Sequence, residues 1–79
     1  MPGSKIEKMF LGKLVKPKTT VNEQILSLFE NDYGIISSVG WDEEERLLYI
    51  DILVKNKFIN RKYRSVSMFQ QFWEITVLD

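Results

Sequence analysis

Between Lys55 and Arg64 the chain reads Lys55-Asn56-Lys57-Phe58-Ile59-Asn60-Arg61-Lys62-Tyr63-Arg64, a run of cations and two aromatic rings without an acid. Cations hold phosphate and rings stack on bases. Lys55, Lys57, Phe58, Arg61, Lys62, Tyr63 and Arg64 are therefore a candidate nucleic-acid surface. The composition of the whole chain weighs against that use. Its formal charge is +0 and its pI about 6.3, whereas phosphate binding draws on a net positive face. The plainer expectation is a solvated hairpin with both rings turned to the core.

Other candidate chemistry is sparse. With no histidine and no cysteine, the chain lacks the usual proton shuttle and the strongest side-chain nucleophile. Ser37, Ser38, Ser65 and Ser67 have no imidazole to act as base. Asp42-Glu43-Glu44-Glu45 offers carboxylates, but a hard cation needs oxygens converging on one point, and consecutive acids in a short turn diverge. Asp51 interrupts an apolar run. It is expected to pair with a cation on a neighbouring strand, such as Arg61, or to sit on an open face. No catalytic, metal-binding or cofactor-binding residue is assigned, and no enzyme activity or cofactor is expected.

These groups must be carried by a small scaffold. Seventy-nine residues with 44% hydrophobic and 28% charged side chains fit one globular domain, residues 1–79. Thr20-Val21-Asn22-Glu23 is a capping box, and Val21, Ile25, Leu28 and Phe29 follow at helical spacing. The pattern predicts a helix over about residues 20–33, with Gly34 as the left-handed residue that ends it. Beyond Gly34 the period changes to two. Residues 35–41 and 46–54 read as strands joined by a hairpin loop at 42–45. In the second strand Leu48, Ile50, Ile52 and Val54 share an apolar face, expected against the helix. Leu47, Tyr49, Asp51 and Leu53 share the other.

The remaining segments allow more than one reading. Residues 55–58 suggest a turn and 59–68 a third strand. Residues 66–78 suit either a final strand or a second helix, because Val66, Phe69, Phe72 and Trp73 also fit a helical stripe. Residues 6–15 suit an edge strand ahead of the helix. The fold class predicted is α+β: an antiparallel β-meander of three to five strands, one helix packed on one face, and a possible second helix near the C-terminus.

Charge is blocked along this layout. Lys5, Lys8, Lys13, Lys16 and Lys18 precede an acidic stretch, Glu23 to Glu45, which the basic segment 55–64 follows. Successive turns of a meander lie at opposite ends of the sheet. The acidic and basic turns should then form a dipole, or simply keep two exposed turns soluble.

The face of Leu47, Tyr49 and Leu53 is a possible interaction surface. One helix covers one side of a sheet, so this side takes a partner unless a C-terminal helix covers it. The function expected is a non-catalytic interaction or regulatory protein, self-associating through a sheet face or edge. The alternative is a nucleic-acid-binding module using residues 55–64. The charged start of the chain is unlike a signal peptide, and no apolar run is long enough to span a membrane. A cytoplasmic protein without membrane contact is the expectation.

Overall fold

The computed structural model describes residues 2–18, 23–30 and 32–76. The elements in chain order are α1 (Pro2–Phe10), β1 (Leu14–Pro17), α2 (Glu23–Phe29), β2 (Gly34–Asp42), β3 (Leu47–Val54), β4 (Lys57–Tyr63), α3 (Val66–Phe72) and β5 (Trp73–Thr76). The strands form one antiparallel sheet in the order β4-β3-β2-β1-β5. The α+β antiparallel architecture is thus as predicted, with three helices among the described residues.

The alternation read in β3 sets the two faces of this sheet. Leu48, Ile50, Ile52 and Val54 are at most 1% exposed, and they join Val15, Ile36, Val39 and Ile59 in one apolar cluster. All three helices feed the same cluster. Phe10 of α1 meets Phe69 of α3 edge-on at 5.5 Å, and Phe29 of α2 lies 5.6 Å from the Trp73 ring. The helices therefore share the inner face. A bulge between Ile36 and Ser38 shifts the alternation of β2 by one, which keeps both Ile36 and Val39 inward.

Local chemistry accounts for the element ends. Gly12 takes φ 78° just past α1, and its N–H donates to the Ile36 carbonyl at 2.8 Å, beginning the β1–β2 pairing. At the β2–β3 turn the Asp42 carboxylate accepts from the Glu44 and Glu45 N–H groups at 3.0 and 3.2 Å. Asp42 itself pairs with Leu47, so the loop is residues 43–46 rather than 42–45, with Arg46 at φ 58°. Lys55 and Asn56 take φ 49° and 66° between the paired Val54 and Lys57. That is a two-residue type I′ turn, tighter than the 55–58 turn expected. Ser65 caps α3 by accepting from the Met68 N–H at 3.1 Å.

Several expectations need correction. Of residues 6–15, 6–10 are helix and only Leu14 and Val15 are strand, because Ile6 and Phe10 lie four apart and Phe10 is buried among the other rings. The strand that follows is not an edge: β1 sits between β2 and β5. The third strand ends at Tyr63, and residues 66–76 contain both alternatives, helix α3 and then strand β5. Gly34 is not the helix terminator. Glu30 takes φ 44° after α2, while Gly34 opens β2 and lies buried against Phe29 and Ile52. Thr20 and most of the capping box lie outside the described residues.

Candidate interaction surface

Antiparallel partners point to the same face, so the register identifies what the outer side of the sheet presents. Phe58 pairs with Leu53, Leu53 with Ile35, Ile35 with Leu14, and Leu14 with Thr76. One row therefore crosses all five strands, apolar in four positions and β-branched in the fifth. Phe58 is 70% exposed and Ile35 44%, and Leu14, Leu53 and Thr76 are half-buried. Among the described residues, all three helices pack on the opposite face. The C-terminal helix expected as a possible cover for this side is α3, whose Phe69 packs inward against Tyr63 and Trp73.

Polar rows flank the apolar one. On one side the Asn60 amide donates to the Asp51 carboxylate, and the Ser37 hydroxyl donates to the Asp51 carbonyl at 3.2 Å. Asp51 thus lies on the open face and does not pair with Arg61, which sits opposite Ile50 on the inner side. Beyond it, Tyr49 lies over Gly40; a Cβ there would stand 2.5–2.7 Å from the phenol ring. Leu47 lies near the end of this face, opposite Asp42. On the other side Lys16 pairs with Glu74, and the Lys16 ammonium stands 5.6 Å from the centre of the exposed Tyr33 ring.

The basic segment is divided by its own strand. Phe58 and Lys62 fall on the outer face with Asn60, whereas Arg61 and Tyr63 fall on the inner side. Tyr63 is half-buried, and its hydroxyl accepts from the Trp73 indole N–H at 2.6 Å. Burial pushes the Tyr63 phenol up, opposed by that bond and by Arg61. The two rings face opposite ways and form no common stacking platform. Arg64 follows β4 and is exposed.

The charged turns are matched locally. Lys55 at the β3–β4 turn pairs with Glu30 at 2.8 Å and approaches Asp32 at 3.9 Å, both just beyond α2. Lys62 pairs with Glu45 of the acidic turn at 3.3 Å. Each turn thus has a group of opposite sign beside it, which weakens the dipole expected along the strands. Lysine-to-carboxylate contacts hold Glu30 below the usual glutamate range, the Lys55 hydrogen bond contributing most.

Of the residues singled out in the sequence, Leu53 belongs to the apolar row and Tyr49 and Leu47 lie further along the same face. Phe58 joins them from the segment read as nucleic-acid-binding. Ile35 and Leu14 carried no local signal. Their place depends on pairing between strands distant in sequence, although a two-residue turn at Lys55-Asn56 would have set Phe58 beside Leu53. No helix among the described residues is long and apolar enough to cross a membrane. No known family model, curated protein or solved structure matches the chain.

Proposed function

We propose that this chain is a non-catalytic protein-interaction protein, cytoplasmic in setting, that acts through the outer face of its sheet and self-associates there. The observation behind the reading is the row Phe58, Leu53, Ile35 and Leu14, contiguous across four strands and accessible to water. Contiguous apolar patches on a sheet face mark places where another molecule binds, whereas single exposed side chains do not. A second copy is the natural partner for such a face, because a twofold contact buries two strips with one repeated set of interactions. The five-strand part of the face is short, because β1 and β5 run only from Leu14 to Pro17 and from Trp73 to Thr76, about 13 Å along the strands; beyond it the face continues on β2, β3 and β4.

Nucleic-acid binding is the weaker reading, since Lys55 and Lys62 are already paired with carboxylates and Tyr63 faces inward. Sedimentation velocity across low to high micromolar concentration tests the favoured one. The wild-type chain is expected to shift from monomer to dimer, and Leu53→Glu to remain monomeric with unchanged circular dichroism. A wild-type chain that stays monomeric throughout would refute self-association. Salt-dependent binding of single-stranded DNA or RNA by that monomer would restore the nucleic-acid reading.

A further inference from the structure

The two edges of the sheet are finished differently. Strand β5 is 4 residues long, and so short an edge gives another chain little to pair with. Strand β4 is 7 residues long, contains no proline and pairs with β3 without a register shift. Among the described residues no strand lies beyond it. We infer that β4 is a docking edge for an extended acidic segment of a partner protein, which adds to the sheet as an antiparallel strand. This site is separate from the outer face proposed above for self-association.

The turn before β4 fixes which backbone groups are open. A two-residue turn at Lys55-Asn56 makes Val54 and Lys57 a hydrogen-bonded pair, and such pairs alternate along an antiparallel ladder. Lys57, Ile59, Arg61 and Tyr63 therefore bond to β3. The N–H and C=O groups of Phe58, Asn60 and Lys62 point to the open edge. A strand added there exchanges hydrogen bonds with these residues. Its side chains come closest to β4 opposite Ile59 and Arg61, the non-bonded positions, on the inner side of the sheet.

Charge selects the occupant. Lys57, Arg61 and Lys62 lie on the strand and Arg64 just past it, and β4 carries no acid. Lys62 meets Glu45, but among the described residues no carboxylate pairs with Lys57, Arg61 or Arg64. A second β4 at this edge would double these cations with no acid between them, which is how edge lysines prevent pairing of like strands. The same cations attract a segment with acids opposite Lys57 and Arg61 and a β-branched residue opposite Ile59, because cross-strand neighbours of opposite charge stabilise a ladder.

A capped, fluorescent peptide Asp-Glu-Thr-Val-Thr-Glu is the probe, titrated with the full chain by fluorescence polarisation. Binding should saturate, and Arg61→Glu should weaken it at least tenfold with unchanged circular dichroism. In amide hydrogen exchange, the Phe58, Asn60 and Lys62 amides should slow at least tenfold on binding, while those of Ile59 and Arg61, already bonded to β3, should change little. Two peptides N-methylated on alternate amides test the pairing without altering the protein: the set that faces β4 should abolish binding, and the other set should bind like the parent. Leu53→Glu, which removes the proposed self-association, should bind the peptide as wild type does. Absence of saturable binding at millimolar peptide would overturn the inference. Equal binding by both methylated peptides would overturn it too, leaving only charge attraction. Slowing of the Phe58, Asn60 and Lys62 amides with rising protein concentration, without peptide, would assign the edge to a second copy instead.

Discussion

Strand β3 carries Leu48, Ile50, Ile52 and Val54 on one side and Leu47, Tyr49, Asp51 and Leu53 on the other. Both sets are mostly apolar, yet the first is at most 1% exposed and the second is half-buried throughout. Hydrophobicity decides which faces can be buried, and the placement of the helices decides which one is. Here all three helices go to the same side and bring Phe10, Phe29 and Phe69 with them. The outer face is left with residues of similar chemistry and a different energetic role.

The largest difference between the faces should appear in ring deletions. Phe69→Ala is expected to cost about 3–5 kcal/mol, because it empties a site in contact with Phe10, Tyr63 and Trp73. Phe58→Ala should stay within about 0.5 kcal/mol of wild type in the monomer. Urea unfolding at low protein concentration measures both, and similar costs would abolish the distinction.

The two buried glycines of β2 sharpen it. A Cβ at Gly34 would stand 2.7 Å from Ile52 Cγ2, 3.0 Å from the Phe29 ring and 3.2 Å from the Leu53 carbonyl oxygen. These neighbours are packed on all sides, so Gly34→Ala should cost about 1–3 kcal/mol. At Gly40 the obstacle is only the Tyr49 ring, which can swing into open space on the outer face. Gly40→Ala should cost clearly less by the same unfolding measurement. An equal or greater penalty would mean that the Tyr49 side is as tightly packed as the core.

The smallest expected effect is electrostatic and lies at the rim between the faces. The Glu30 pKa is lowered by Lys55, through a hydrogen bond first and charge second. A carboxylate depressed in the folded state adds stability above its unfolded pKa. That stability is lost as pH falls from the ordinary glutamate range through the lowered folded value. Thermal melts between about pH 6 and pH 3 should show a slightly shallower acid limb for Lys55→Met than for wild type. Parallel limbs would show that this exposed pair does not report on folding.

Sequence made one of these faces plain and left the other incomplete. The period-two pattern of residues 46–54 identifies the buried side of β3 residue by residue, because alternation is local. The hairpins were legible in approximate position, through residues 42–45 and 55–58, although pairing places the loops at 43–46 and at Lys55-Asn56. The first helix was not: Ile6 and Phe10 suit a strand by propensity, and their helical spacing covers a single turn. The segment after Ser65 was equally ambiguous, because its aromatic residues take their conformation from contacts with Phe10 and Tyr63 rather than from neighbours in the chain. Gly34 looked like a helix terminator, yet its missing side chain serves close packing, and Glu30 takes the left-handed position. Ile35 and Leu14 joined the candidate surface only through the pairing of β1 with β2.

The pairing of β1 with β5 joins segments nearly the whole chain apart, Leu14 against Thr76 and Pro17 against Trp73. During synthesis the β2–β3–β4 meander can close its short loops as soon as it emerges, since its contacts are local. Strand β1 is made earlier, but its outer neighbour is the last of the five strands to appear. Until then β1 can pair on one side only, and its other backbone edge is open to a wrong partner. Loop closure over that distance is also the slowest ordering step in such a topology. A sheet that lacks Trp73–Thr76 therefore presents β1 as an open edge, and the docking of β5 closes it.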